Sequence, residues 1–192
     1  ETLACLSLAI EQGQISPEQI QTSLQRLQNL ASRFPSHVSA YATEAADLVL
    51  MQDAWKRGLT AYRQAVAPAL GSALRLVVCA DVVSDGVSEA GIPAQELARH
   101  LEGFYAVELY TFDDHENFDW STLPQDGKFV VLASTTRLRY GDNVQKNWKP
   151  DLHLALWNPF QVLDVDAPAI ASYGYPQQAL DALGTWFKGE AA

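Results

Sequence analysis

The stretch DDHENFDW, Asp113 to Trp120, is rich in ionisable side chains. It contains three Asp, one Glu and one His. Such groups can bind a cation or hold the proton of a general acid, which makes Asp113, Asp114 and Glu116 candidate catalytic acids. The alternative, and the commoner role of such a run, is a solvated loop whose charges face water.

A second stretch, STTRLRYGDN from Ser134 to Asn143, combines hydroxyl groups with two arginines. Arg137 is therefore a candidate for contact with a sugar or an acid. The stretch lacks the glycine-rich pattern that cradles phosphate, so it does not indicate a nucleotide site. Trp120 and Trp148 could stack on a sugar face, and packing against a neighbouring domain is the alternative for both.

No complete catalytic or metal-binding set is visible. The histidines show no HExxH or other ligand spacing, and no GxSxG motif marks a nucleophilic serine. His153 alternates with leucines, which predicts a core or interface residue. The two cysteines, Cys5 and Cys79, are too far apart in the sequence for a metal-ligand pattern, and we expect two buried thiols. The sequence predicts no cofactor and no metal.

After Pro68, apolar runs alternate with short helices. The runs are LRLVVCADVV, YAVELYTF, KFVVLAST, LHLALWN and PAIASYG. Strands buried on both faces have this composition, and helices cover both faces of a parallel sheet. Residues 70–192 are therefore predicted to form an α/β domain, a three-layer sandwich with an open, mostly parallel sheet of about five strands.

Ligands of open α/β sheets bind at the carboxyl ends of the strands. The sequence places these candidates there: Asp81, Asp113 to Glu116, Ser134 to Arg137, Asn158 and Tyr173. Asn158 has two possible roles, since it could bind substrate or cap the turn in which Pro159 ends the strand. The capping role is favoured.

Residues 1–69 have helical spacing throughout and are predicted to form an all-helical lead-in. Ser16, Pro17 and Gln19 suit the N-cap, the first helical position and the partner residue of a capping box. The sequence opens inside a helical pattern without Met, and we expect it to be a piece of a longer chain. An upstream targeting signal would not be visible, so the location is open, with the cytoplasm favoured.

Composition limits the possible partners. The chain has 192 residues, 48% of them hydrophobic, and a net charge of −10. An acidic chain is repelled by nucleic acid and by anionic membranes, and neither is an expected partner. No apolar run approaches the ~20 residues of a membrane span.

The stretch from Leu156 to Ala192 resembles the C-terminal α/β domain of glycoside hydrolase family 3. In that family one strand ends in an Asn-Pro-aromatic turn, and a later strand ends in Tyr-Gly before a helix rich in Ala and Leu. The matching positions here are Asn158, Pro159, Phe160, Tyr173, Gly174, Ala179, Leu180, Leu183, Phe187, Gly189 and Glu190. The stretch AIEQGQISPEQIQTSLQRLQNL is similar to the helix with which the family's catalytic barrel ends, so residues 1–69 would be the end of the barrel and the linker.

The resemblance implies an enzyme that hydrolyses terminal β-glycosidic bonds, with the N-terminal catalytic barrel of the same chain and a carbohydrate substrate as partners. The barrel's Lys-His and Ser-Asp motifs, which carry the nucleophile, are absent from these residues, and we expect the fragment alone to be inactive. In the glucosidase branch the second domain lends the acid from a loop, whereas in the hexosaminidase branch a barrel histidine does so. The compact α/β domain is more similar to the β-N-acetylhexosaminidase branch. The alternative is a non-catalytic binding or docking module with a flavodoxin-like fold.

Overall fold

A computed structural model describes residues 2–35, 44–80, 82 and 90–190. These residues form two compact units, Glu1–Thr43 and Glu44–Ala192. Asp81 and His37 lie outside the described residues. Of the two thiols expected to be buried, Cys79 is buried and Cys5 is exposed. No helix in the described part of the chain is long and apolar enough to cross a membrane.

The first unit contains helices α1 (Thr2–Glu11) and α2 (Pro17–Arg33). The predicted capping box at the start of α2 is present. The Ser16 hydroxyl accepts a hydrogen bond from the Gln19 backbone N–H at 3.2 Å, and the Gln19 side chain accepts one from the Ser16 N–H at 2.8 Å. Pro17 occupies the first helical position, where its missing N–H has no cost.

The second unit is an α/β fold, as predicted. Its helices are α3 (Ala45–Gly58), α4 (Ala94–Leu101), α5 (Asp142–Asn147) and α6 (Gln177–Phe187). Its strands are β1 (Thr60–Tyr62), β2 (Ala73–Cys79), β3 (Ala106–Phe112), β4 (Phe129–Ser134), β5 (Leu152–Ala155) and β6 (Ala169–Ala171). Two 3₁₀ turns, Trp120–Thr122 and Pro159–Leu163, follow β3 and β5 along the chain.

The sheet has six strands in the order β1-β6-β5-β4-β2-β3, one more than the approximate number predicted. All neighbours are parallel except β1, which pairs antiparallel with β6. The extra strand lies within residues 1–69, so the lead-in is not all helical. Its three residues are too few to show a strand period, and their pairing with β6 is a tertiary contact.

The apolar core lies on both faces of the sheet, because successive side chains of a strand point to opposite faces. On one face Leu74, Leu76 and Val78 of β2 pack with the buried residues of α4 and α6. On the other face Val77 and Cys79 pack with buried residues of α5 and of the loops around it. This double burial explains the nearly continuous apolar composition of β2.

Strand order reverses at β2, because β3 lies on one side of it and β4, β5 and β6 follow on the other. The sequence of strands β3-β2-β4-β5-β6 is the flavodoxin-like order, whose switch point lies between the strands that are here β2 and β4. Because β2 to β6 are parallel, their carboxyl ends lie at one edge of the sheet, where the candidate residues are expected.

Candidate functional site

The acidic loop after β3 is held together by its own carboxylates. Asp114 accepts hydrogen bonds from the Glu116 backbone N–H and from the Asn117 side-chain amide, both at 3.0 Å. The imidazole Nδ1 of His115 lies 3.5 Å from the same carboxylate. Asp113, Asp114 and Glu116 are exposed. Asp114 thus caps a turn, as expected of the solvated-loop alternative.

Asp119 in the same loop also caps a turn. Its carboxylate accepts hydrogen bonds from the Ser121 hydroxyl at 2.7 Å and from the Ser121 N–H at 2.9 Å. These bonds favour the ionised form and lower the pKa of Asp119. A carboxylate held in this way is a poor proton donor near neutral pH.

Trp120 lies beside this loop in an aromatic cluster. Its ring stacks on Trp148, with centroids 5.3 Å apart and an interplanar angle of 26°. Trp148 is only 2% exposed, and its ring is also 5.5 Å from that of Phe118. A groove of about 350 Å³ brings Glu116 and Trp120 together at the cluster's surface. Arg137 and Asn158 do not line that groove.

Asn158 joins two neighbouring loops of the carboxyl edge. Its Oδ1 accepts a hydrogen bond from the Phe160 N–H at 3.0 Å, and its Nδ2 donates to the Arg137 carbonyl at 2.7 Å. Gln161, fully buried, donates to the Leu138 carbonyl at 2.6 Å. These amides fasten the loop after β4 to the 3₁₀ turn after β5. Both polar atoms of Asn158 are thereby engaged with backbone.

An ion pair between the exposed Arg139 and the buried carboxylate of Asp164 joins the same loops. Arg139 donates through Nε to Asp164 Oδ2 at 2.7 Å and through Nη2 to Oδ1, and the Tyr140 N–H donates to Oδ2 at 2.9 Å. Burial raises the pKa of Asp164, but the hydrogen bonds from Arg139 and Tyr140 outweigh it and the net shift is downward. Neither Arg139 nor Asp164 has a sequence pattern that predicts this ion pair.

Ser134 and His153 meet where β4 and β5 run side by side. The serine Oγ lies 2.7 Å from His153 Nε2, and both residues are fully buried. Burial lowers the pKa of His153 to about 3, so the ring is neutral near pH 7. The pair has the atoms of a nucleophile and base, but no substrate can reach it. The predicted core location of His153 is correct.

Tyr173, after β6, has a backbone φ of +60° and a side chain that is 48% exposed. Its hydroxyl lies 3.1 Å from Thr60 Oγ1. Within residues 2–35, 44–80, 82 and 90–190, no three His, Cys, Asp or Glu side chains are grouped so that they could hold a metal ion. Among the described candidates, Glu116 and Trp120 share a groove and Asn158 contacts the loop of Arg137, but these two groups do not form one catalytic centre.

Comparisons with known proteins give no match in sequence and several in structure. No protein-family model matches the chain, and no curated protein is significantly similar to it. The chain is similar to a glycoside hydrolase family 3 β-N-acetylglucosaminidase from Paenibacillus sp. strain FPU-7, with 20% identity and a TM-score of 0.57. That similarity covers 99% of this chain and 41% of the other.

Two further structures are similar. A fungal multi-domain GH3 β-N-acetylglucosaminidase shares 20% identity at a TM-score of 0.54, over 97% of this chain and 24% of that one. A β-glucoside phosphorylase, BglX, shares 14% identity at a TM-score of 0.53, over 97% and 39% of the two chains.

This chain spans less than half the length of each of these proteins. Identities at this level show a shared fold and not a shared reaction. The similarity agrees with the resemblance of residues 156–192 to family 3. The chain therefore has the fold of a segment of the family 3 glycoside hydrolases.

Proposed function

We propose that this chain is the C-terminal accessory domain of a family 3 glycoside hydrolase of the β-N-acetylhexosaminidase type, an enzyme that hydrolyses terminal β-glycosidic bonds. The observation that carries the proposal is the shared fold over 97–99% of this chain with only 24–41% of each longer enzyme. The remainder of such an enzyme would include the N-terminal catalytic barrel that binds the carbohydrate substrate.

The chemistry of the carboxyl edge supports an accessory role. Glycoside hydrolysis needs an acid and a nucleophile or base on the two sides of the scissile bond. Asp114 is engaged in capping a turn, and the Ser134–His153 pair is fully buried. The nucleophile in this proposal belongs to the barrel, and Asn158 acts by positioning the loop that carries Arg137.

A contribution of this domain to substrate binding would come from the groove that holds Glu116 and Trp120. Trp120 is half-buried, so one part of its ring can meet a ligand while the other packs on Trp148. Asp113 and Glu116 remain the loop carboxylates that could act as the acid. We expect neither to do so, because the hexosaminidase branch draws its acid from the barrel.

The test uses the longer chain that carries the barrel and an aryl β-N-acetylglucosaminide as substrate. Three variants, Asp113→Asn, Asp114→Asn and Glu116→Gln, are compared with the control Glu102→Gln, whose carboxylate is exposed near the opposite edge of the sheet. Loss of a general acid lowers kcat by roughly 10²- to 10⁴-fold. We expect each loop variant to lose less than tenfold. A loss in the larger range would assign the acid to this loop and the protein to the glucosidase branch.

A non-catalytic binding or docking module is the second candidate function, and the flavodoxin-like strand order β3-β2-β4-β5-β6 favours it. The same experiment separates the two. A longer chain that hydrolyses neither aryl β-N-acetylglucosaminides nor aryl β-glucosides supports the module.

A further inference from the structure

A groove of about 600 Å³ opens at the carboxyl end of β6. Its lining includes Trp55 of α3, Glu96 of α4, and three aromatic residues that follow β5 and β6: Trp157, Tyr173 and Tyr175. The volume falls within the roughly 300–1,000 Å³ of small-molecule sites. Such sites combine apolar and aromatic walls with a few polar groups, as this one does.

The aromatic rings are fixed in place. Tyr173 has a left-handed φ of +60°, which bulky residues rarely adopt, and residues held in such conformations cluster at functional sites. Its hydroxyl is fastened near Thr60 Oγ1, and the Tyr175 hydroxyl donates to the Ala90 carbonyl. Trp157 meets Tyr175 edge to face, with centroids 5.7 Å apart and an angle of 75°. A ligand would thus meet preorganised rings.

Gly174 brings Trp55 against this turn. A Cβ on Gly174 would lie 3.0 Å from Cη2 of the Trp55 indole and 3.3 Å from Cδ of Pro176. A side chain at this position would push the indole away. The glycine therefore allows the tryptophan of α3 to form a wall of the groove.

Charge defines the kind of ligand that fits. No Lys or Arg lies among the described residues that line the groove. The Glu96 carboxylate is exposed, and no hydrogen bond or ion pair engages it within the described chain. The chain as a whole has a net charge of −10. An anionic ligand is therefore disfavoured, and a ligand with hydroxyl or N–H donors fits the carboxylate.

We propose that this groove binds a neutral saccharide, whose apolar ring face stacks on the tryptophan and tyrosine rings while a sugar hydroxyl donates to Glu96. A quaternary ammonium ion would need rings that enclose a small volume. Here Trp157 and Tyr175 contact each other and the groove is large and open. The site belongs to this chain by itself, so the inference goes beyond the proposed function and holds with or without a catalytic barrel.

The experiment titrates this chain with N,N′-diacetylchitobiose, with cellobiose and with tetramethylammonium, followed by tryptophan fluorescence and isothermal calorimetry. We expect saturable binding of at least one disaccharide. Tyr173→Gly removes a stacking ring while glycine readily adopts the same φ, and Glu96→Gln removes the carboxylate alone. Each should weaken binding about three- to tenfold. Glu102→Gln, at the other end of α4, should bind as the unaltered chain does.

Thermal unfolding checks that the Tyr173→Gly and Glu96→Gln chains are folded at the temperature of the titration, so that a loss of affinity reports on the groove and not on unfolding. Three results would overturn the proposal. They are no saturable response to either disaccharide, a saccharide affinity unchanged in both Tyr173→Gly and Glu96→Gln, and saturable binding of tetramethylammonium alone. Because binding is measured on this chain alone, its outcome does not depend on whether the longer chain hydrolyses a glycoside.

Discussion

Asn158 shows how one side chain organises the carboxyl edge. The sequence predicts that it caps the turn formed with Pro159, and the hydrogen bond from the Phe160 N–H to Oδ1 confirms this. Its second contact, from Nδ2 to the Arg137 carbonyl, joins residues that are 21 positions apart. That contact depends on how β4 and β5 lie side by side, which local spacing does not reveal.

Replacement of Asn158 by Ala should destabilise the α/β unit by about 0.5–2 kcal/mol, the usual cost of losing an N-cap, because water can replace the lost partner of the two exposed backbone groups. Asn158→Asp retains an acceptor for the Phe160 N–H and loses only the donor to Arg137, so its cost should be smaller. Urea denaturation followed by near-ultraviolet circular dichroism measures both. Equal costs for the two variants would mean that the hydrogen bond from the Phe160 N–H contributes nothing, and no cost in Asn158→Asp would mean the same of the bond between the loops.

His153 should make the stability of the fold depend on pH. Burial lowers its pKa in the folded chain to about 3, below the value of about 6.5 for an unfolded histidine. The unfolded state therefore binds one more proton between these values, and the contribution to stability is complete above pH ~6.5 and lost as pH falls toward 3.

The expected slope from His153 is about 1.4 kcal/mol per pH unit in the middle of that window. The double variant Ser134→Ala/His153→Leu removes the pair and should flatten the curve between about pH 6 and pH 4. Asp164 also has a lowered pKa, but its contribution is lost only below about pH 4, the region of an unfolded aspartate. An unchanged slope in the double variant would show that His153 is not buried in the neutral form.

Other contacts between side chains could not be predicted from the sequence. The ion pair of Arg139 with Asp164 joins positions 25 apart on different loops, and neither residue has a distinctive local pattern. Arg75, by contrast, can be recognised in the sequence, because it is a charged residue inside an apolar run. It is 1% exposed and pairs with Glu108 and Asp126, each at 3.1 Å. An arginine inside such a run indicates carboxylates nearby, although not which ones.

At the scale of elements, the long apolar runs were the most informative part of the sequence. Each of the five contains a parallel strand of the sheet. Strand β1 was not predicted, because Thr60–Tyr62 is short and follows a helix. These residues form a strand by pairing with β6, which is a tertiary contact. The apolar pattern of a segment predicts which of its side chains are buried, whereas an edge strand such as β1 depends also on the strand with which it pairs.

Helix α6 provides a test of packing against helix propensity at Gly184. Alanine is intrinsically better than glycine in a helix by roughly 1 kcal/mol. A Cβ on Gly184, however, would lie 2.7 Å from Cζ of the Phe104 ring, which also packs on Phe187. We expect Gly184→Ala to destabilise the chain by about 1–3 kcal/mol, the usual cost of overpacking a core.

Gly58→Ala is the matched control for Gly184→Ala. Gly58 ends α3, and no atom lies within 4 Å of a Cβ built there. This change should be neutral or slightly stabilising in the same urea denaturation experiment. If both substitutions stabilise the chain, the close approach of Phe104 to α6 is incorrect.

At the scale of the whole molecule, the sequence predicts a boundary between residues 69 and 70, which separates a lead-in from the α/β domain. The compact units divide between residues 43 and 44, which is a division by contacts and not by function. Helix α3 packs on α6, and β1 pairs with β6, so both elements belong to the second unit. The functional boundary, between a catalytic barrel with its linker and the accessory domain, stays a prediction.

The resemblance to family 3 and the fold agree, although no protein-family model and no curated protein matches the sequence. Order and spacing of short motifs between Leu156 and Ala192 were sufficient to predict the fold family, and the structural similarity extends it to nearly the whole chain. The candidate site could not be predicted equally well. Its carboxylates and aromatic rings are common residue types, and only their tertiary contacts distinguish a turn cap or a core pair from a ligand.

The proposed accessory role assigns the catalytic groups to a separate barrel that lies outside residues 1–192. Its most direct test is the hydrolysis of 4-nitrophenyl β-N-acetylglucosaminide and 4-nitrophenyl β-glucoside by residues 1–192 alone and by the longer chain that carries the barrel. We predict no turnover above background for residues 1–192 and measurable turnover of at least one substrate by the longer chain. Robust turnover by residues 1–192 alone would contradict the claim.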